Sequence, residues 1–168
     1  MAAQCGLHYV PMGSHEGLGS PGVVKEYDLI GLMCYSNRRS FVFRCADEML
    51  HKVGNVTLAP NGWGEDRHNR LQRSRFMFNV HQDDFPFIEP LRFALAAAYG
   101  LPLVTERCLD MHPYMSRWYV DAGLRDMAKV AESAVASYGS DRWYDRGLEL
   151  RSFMANNMTF GKCLEMHL

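Results

Sequence analysis

The chain has 168 residues, of which 48% are hydrophobic and 22% charged, and its formal net charge is -1. This length predicts one domain, and the apolar fraction is that of a globular protein rather than a disordered one. A near-neutral charge excludes broad electrostatic binding to nucleic acid or anionic lipid. No apolar stretch approaches the roughly 18 residues of a membrane helix, and the amino terminus has no secretory signal pattern.

The five cysteines and seven histidines are scattered along the chain. No two cysteines have the CxxC spacing of zinc or redox sites, and no HxH or HxxxH pattern occurs. We therefore expect reduced thiols, no metal site and a cytoplasmic location.

Regular structure is predicted to begin after a loop-rich segment, 1–25, that is dense in glycine and proline. Strands are predicted at 27–34, 55–59, 76–80 and 101–106. Helices are predicted at 40–51 with Ser40 as the N-cap, and at 65–74, 89–99, 121–138 and 141–155. The segment 140–168 would thus hold the last helix and a tail.

This alternation of strands and helices is typical of an α/β fold with a mainly parallel sheet. The apolar residues of the strands run together, as in a sheet covered by helices on both faces. We expect a single Rossmann-like domain over 1–168, with 76–80 and 101–106 as inner strands. Ligands of such sheets bind beyond the carboxyl ends of the strands, so the loops that follow the four strands are the candidate sites.

The first of these loops is basic and precedes a helix. Its candidate residues are Ser36, Asn37, Arg38 and Arg39. Backbone amides beside a guanidinium suit a phosphate group, although a solvated turn explains the same residues. In the second loop, Trp63 lies between glycines at 62 and 64. Its indole suits stacking on a planar ring, and equally a tight turn folded onto the core.

The third loop carries an imidazole and two carboxylates, His81, Asp83 and Asp84. Such a loop suits ribose or sugar hydroxyls, but the aspartates also suit a solvated turn. Glu89 and Arg92 follow three residues apart on one helix face, where they either meet a ligand or form a salt bridge at the helix start.

The last predicted strand ends in an acid, Glu106. This carboxylate is either a further ligand contact or a partly buried acid that bonds to loop amides. No pair of catalytic carboxylates, nucleophile elbow or HExxH element is present, so these residues alone name no reaction.

The stretch from Asn79 to Asp84, continued by 89–106, resembles the donor-binding half of GT-B glycosyltransferases of the group-1 type. In that family a strand ends in a polar loop, an acidic helix start follows, and a helix of small residues ends in Gly-x-Pro before the next strand. Here that motif is Gly100-Leu101-Pro102. Three other segments resemble parts of that half more weakly. Val10–Gly13 resembles the linker that enters it, 28–39 resembles its opening strand, and 63–65 resembles a loop that contacts the base.

The resemblance implies a nucleotide sugar or nucleoside diphosphate at the carboxyl ends of the strands, and no other cofactor. Phosphate would be held by Arg38, Arg39 and amides near Ser36. The ribose, the sugar or the remaining phosphate oxygens would be oriented by His81, Glu89 and Arg92. Trp63 would border the base, and Asn37, Asp83, Asp84 and Glu106 are further ligand-binding candidates.

Two departures from the family stand out. Group-1 enzymes often carry two glutamates eight positions apart, and counting back from Gly100 places them at Phe87 and Leu95, neither of which is acidic. A complete GT-B enzyme also has a second half, which supplies the acceptor site and usually the catalytic base, and 168 residues hold only one half.

We therefore expect either a glycosyltransferase-type enzyme that works with a partner protein or as a homodimer, or a non-catalytic module that senses or sequesters a nucleotide-derived ligand. A structural subunit with a vestigial pocket is a third hypothesis. The apolar residues of the carboxy-terminal region, among them Trp143, Leu150 and Met154, favour a homodimer, unless this helix packs back on its own domain.

Overall fold

A computed structural model describes residues 16–34, 36–52, 54–58, 63–84, 87–111 and 114–165. Within these ranges the strands are β1 (Tyr27–Gly31), β2 (Val56–Leu58), β3 (Ser74–Asn79), β4 (Leu103–Glu106) and β5 (Tyr119–Ala122). The α-helices are α1 (Asn37–Leu50), α2 (Gly64–Gln72), α3 (Pro90–Ala98), α4 (Met127–Ala136), α5 (Trp143–Asn157) and α6 (Phe160–Glu165).

The five strands form one parallel sheet in the order β2-β1-β3-β4-β5. The prediction of a single α/β domain with a parallel sheet is therefore confirmed. The two segments predicted as inner strands correspond to β3 and β4, and both have a neighbour on each side.

Helices cover the sheet on both faces, because successive residues of a strand point to opposite sides. On one face, a core that includes Leu29, Phe76, Phe78 and Val104 packs against residues of α1 and α4. On the other face, a core that includes Ile30, Met77 and Leu103 packs against residues of α2, α3 and α5. Burial on both faces explains why these strands are apolar without alternation.

The carboxy-terminal helix α5 packs back on its own domain, against α3. Leu150 and Met154 are buried in the core on that face and Trp143 in the core on the other face, so they give no free apolar surface for a homodimer. The approach is close at Gly147, where an added Cβ would lie 2.1 Å from the carbonyl oxygen of Gly100. Gly100 itself has a φ of 63°, a left-handed conformation that glycine adopts without strain.

Two predicted boundaries are wrong. Helix α1 begins at Asn37 rather than after Ser40, because the Ser36 hydroxyl accepts a hydrogen bond from the Arg39 amide at 3.1 Å and so caps the helix. The segment that begins at Asp121 is not helical at first, since 119–122 form β5 beside β4 and α4 starts at Met127. As an edge strand β5 is only half buried, and its sequence lacks the apolar run of the inner strands.

Candidate functional site

The sheet order reverses between β1 and β3, because the chain passes from β1 outward to β2 and then returns to β3 on the other side. In open parallel sheets, ligands bind at such a switch point, outside the carboxyl ends of the strands. The loops that follow β1, β3 and β4 bring one group of ionisable side chains together at this place. We call it the edge cluster, consisting of Arg38, Arg39, His81, Asp84, Glu89, Arg92, Glu106 and Cys108.

Arg38 joins the end of β4 to the loop after β3. Its Nη1 lies 2.6 Å from Glu106 Oε2, and its Nη2 donates to Oε1 of the same carboxylate, which makes a two-pronged pair. Nη1 also donates to the carbonyl oxygen of His81 at 3.1 Å, and Nη2 lies 3.3 Å from Asp84 Oδ1. The hydrogen bond to Glu106 is the main reason that the pKa of Arg38 is raised.

Arg39 is buried, with only 3% of its surface exposed. Its Nε donates to the carbonyl oxygen of Val80 at 2.8 Å and its Nη1 to that of Cys34 at 3.4 Å, while Nη2 lies 3.5 Å from Glu89 Oε1. Burial lowers the pKa of this guanidinium, and the negative charge of Glu89 offsets this effect only in part. Arg39 therefore ties the loop after β1 to the end of β3 from within.

Glu89 is the carboxylate on which three cationic groups converge. His81 Nδ1 lies 3.4 Å from Oε1, Arg92 Nε lies 3.3 Å from Oε2, and Arg39 is the third. Burial by itself would raise the pKa of Glu89, but the hydrogen bond with His81 and the charges of Arg92 and Arg39 outweigh it and lower the pKa. Arg92 also donates to the carbonyl oxygen of Leu32 at 2.6 Å, so it is a bridging residue rather than an exposed arginine.

His81 lies at the centre of the edge cluster and is almost fully buried. Its amide donates to Glu106 Oε2 at 3.1 Å, and its Nε2 lies 3.4 Å from the sulfur of Cys108. The hydrogen bond with Cys108 raises the pKa of His81 most, that with Glu89 adds to it, burial opposes both, and the result is a pKa of about 9. The imidazole is therefore cationic at neutral pH.

The remaining predicted residues lie at the rim of this edge. Ser36 caps α1 and donates from its hydroxyl to the carbonyl oxygen of Gln82 at 3.3 Å, which links two of the loops. Asn37 and Asp83 are exposed. Trp63 precedes α2 and is 72% exposed, so it does not fold onto the core. The predicted linker at Val10–Gly13 and the loop residues 60–62 lie outside the described residues.

The charges of this edge are close to balance without any ligand. Three arginines and a cationic histidine face Asp84, Glu89 and Glu106, with the exposed Asp83 beside them. A phosphate group would therefore compete with carboxylates that already hold the arginines. Asp84 is the weakest competitor, since its side chain is 96% exposed.

The sequence predicts Cys108 only as one of several reduced thiols, and no pattern in it indicates that this residue joins the edge cluster. It lies two residues beyond the end of β4, and only the neighbouring position of β3 brings it beside His81. Among the residues that the structure describes, no group of three or more His, Cys, Asp or Glu side chains is arranged to hold a metal ion. Nor is any helix in the described ranges long and apolar enough to cross a membrane.

Comparisons with known proteins find a likeness only at the level of structure. No protein-family model matches the chain, and no curated protein matches its sequence. The chain is similar to the crystal structure of TarM, a GT-B glycosyltransferase, with a TM-score of 0.60 and 12% sequence identity over 88% of this chain and 36% of that chain. The fold is that of half a GT-B glycosyltransferase.

The match to half of a GT-B fold confirms the predicted resemblance in architecture. Because the sequence identity is 12%, this match shows the fold alone. The chain spans little more than a third of TarM's length. Neither family glutamate position carries an acid here: Phe87 is exposed before α3, and Leu95 packs against the core. The carboxylate that reaches the edge cluster from this region is Glu89.

Proposed function

We propose that the chain binds a nucleotide sugar or a nucleoside diphosphate at the edge cluster, as a glycosyltransferase-like donor domain. The observation that carries the proposal is the position of the edge cluster, with its three arginines, at the switch point of a sheet that matches half of a GT-B fold. Guanidinium groups suit the oxygens of a diphosphate, because they donate two parallel hydrogen bonds in a fixed geometry.

The diphosphate takes the place of Asp84 beside Arg38, since that carboxylate is exposed and can swing into water. The buried Glu106 keeps its bonds to Arg38 and the His81 amide, and so holds the guanidinium in position. Arg92 supplies a second cationic contact. Among the described residues, its Nε and Nη1 have partners and its Nη2 has none.

The base lies against Trp63, whose exposed indole at the start of α2 offers a flat apolar surface. The polar side chains of Asn37 and Asp83, which are exposed at the same edge, bind hydroxyl groups of the ribose or the sugar. Arg39 supports the site from below rather than touching the ligand, because its donors already bind Val80 and Cys34.

Sugar transfer requires an acceptor surface opposite this edge. Large apolar side chains are exposed near the starts of α1 and α3, in the loop before α3 and in the loop after β4: Phe41, Leu91, Phe87 and Leu109. Exposed apolar side chains of this size favour contact with another protein surface. We propose that a partner protein, or a second copy of the chain, supplies the acceptor side.

A non-catalytic module that senses or sequesters the ligand is the second candidate. It is favoured by the absence of a carboxylate at Phe87 and Leu95, the positions where the family often has its glutamates. An assay for hydrolysis of nucleotide sugars separates the two candidates, since only the enzyme releases free sugar. A purely structural subunit predicts that no nucleotide raises the thermal midpoint of the chain.

The test is calorimetry with uridine, guanosine and adenosine diphosphates and their sugar conjugates. Losing a guanidinium–phosphate contact weakens binding about 10-fold to 100-fold, so we expect this loss for Arg92→Ala. Glu89→Ala, which releases both His81 and Arg92, should also weaken binding. Arg117→Ala is the matched control, because Arg117 forms an exposed pair with Glu149 just before β5, at the opposite edge of the sheet.

Arg92→Ala also removes the bond to Leu32, so the thermal midpoint of each variant is measured beside its affinity. Arg92→Lys keeps the charge and loses the two-pronged geometry, and it should bind with intermediate affinity. If the two alanine variants bind a nucleotide as tightly as the wild type does, the ligand lies elsewhere and the proposal fails.

A further inference from the structure

Cys108, His81 and Glu89 form a line of three groups, none of which makes a direct contact in the proposed nucleotide site. The sulfur of Cys108 lies 3.4 Å from His81 Nε2, and the other ring nitrogen, Nδ1, lies 3.4 Å from Glu89 Oε1. A nucleophile, a base beside it and a carboxylate that orients the base are the three parts of an activated thiol. His81 and Glu89 lie near the two ends of the loop between β3 and α3, and Cys108 lies in the loop after β4.

Three further contacts fix this line. Glu89 is held by Arg92 and Arg39, so its carboxylate cannot turn away from the imidazole without leaving both guanidinium groups. The His81 amide is bound to Glu106, which fixes the backbone that carries the ring. Cys108 is 8% exposed, and its neighbour Leu109 is 80% exposed, so the sulfur lies just below the surface.

We propose that Cys108 is a nucleophile for activated acyl groups, that is, thioesters and reactive esters, with the protonated His81 as the partner that stabilises its thiolate and donates a proton to the leaving group. The sulfur attacks as the thiolate of an ion pair with the protonated His81, and it forms an S–C bond to the carbonyl carbon. The C–O or C–S bond to the leaving group then breaks, and the leaving group departs with the electron pair and takes the proton from His81. The acyl group remains on Cys108 as a thioester until water or an acceptor removes it.

The protonation of His81 fits this role. Its pKa of about 9 keeps the proton on the imidazole at neutral pH, where the positive charge stabilises a negative charge on the neighbouring sulfur. The competing structural interpretation is a buried thiol that donates to the carbonyl oxygen of Glu106, 3.6 Å from the sulfur. The two interpretations predict opposite effects of folding on reactivity.

The probe is p-nitrophenyl acetate at neutral pH, with acetylation of each cysteine followed by peptide mass spectrometry. Rates are compared between the native chain and the chain unfolded in urea. We expect Cys108 to react at least about tenfold faster in the native chain, a threshold below the roughly 100-fold to 10,000-fold that positioned acid–base groups typically contribute. Cys163 is the internal control, because it is fully buried and burial raises the pKa of its thiol, so folding should protect it.

A native Cys108 that reacts more slowly than the unfolded one overturns the proposal, since burial alone then governs its reactivity. His81→Gln should remove the gain at Cys108 and leave Cys163 unchanged, and Glu89→Gln should reduce the gain in part. If His81→Gln does not fold, the wild-type comparison still decides. No nucleotide is present in the experiment, so its result is independent of the proposed nucleotide site.

Discussion

Replacement of Glu106 by glutamine perturbs the pair on which the edge cluster is built. The carboxylate accepts two hydrogen bonds from Arg38 and one from the His81 amide, and it is 6% exposed. The glutamine oxygen can keep the bonds from His81 and Arg38 Nη1, but its NH₂ group then faces Nη2. One charge-assisted bond, worth about 1.5–3 kcal/mol, is lost, and the charge that offsets the buried guanidinium disappears.

We therefore expect Glu106→Gln to lower the free energy of unfolding by about 2–3 kcal/mol, measured from urea denaturation with the slope unchanged. Glu26→Gln is the control, because Glu26 also pairs with an arginine, Arg73, but both side chains are largely exposed. It should leave the unfolding midpoint unchanged. Equal losses in the two variants, or none in Glu106→Gln, would show that the buried pair does not hold the loops together.

Three further predictions follow from single contacts. Gly147→Ala places a Cβ against the carbonyl of Gly100, and it should cost about 1–3 kcal/mol in urea denaturation; a stable variant would contradict the close helix approach. Asp84→Asn removes the exposed competitor beside Arg38, so diphosphate affinity by calorimetry should rise about two- to fivefold, and weaker binding would contradict displacement of Asp84. The raised pKa of His81 increases the free energy of unfolding; this contribution is complete below about pH 6.5 and is lost as the pH rises through about 9. If His81→Gln shows the same pH dependence of urea denaturation, another group is responsible.

The fold was largely predictable because burial on both faces marks the inner strands in the sequence. Phe76, Met77 and Phe78 are all buried, and a short run of apolar residues bounded by polar ones is typical of a strand covered on both faces. Strand β5 was missed for the opposite reason. Its residues Tyr119–Ala122 are half buried at the sheet edge, and their pattern does not distinguish a strand from the start of a helix.

The site was predictable only as a set of loops. The rule that ligands bind at the carboxyl ends of parallel strands selected the loops that carry Arg38, His81 and Glu89. The pairing of Arg38 with Glu106, 68 positions away, depends on β1, β3 and β4 lying side by side, and no local pattern encodes it. The sequence could not show that Arg39 is buried while Arg38 is only partly buried, since both were predicted in the same basic turn before the helix.

The central claim is that a diphosphate binds at the edge cluster, and NMR of the histidine side chains tests it most directly. His81 lies within the cluster, whereas His51 follows α1 at the opposite edge of the sheet, where it pairs with Asp47 at 3.1 Å. During titration with nucleoside diphosphates, we expect the imidazole signals of His81 to shift in a saturable way while those of His51 stay in place. Saturable binding that leaves His81 unshifted would contradict the account, as would equal shifts of both rings.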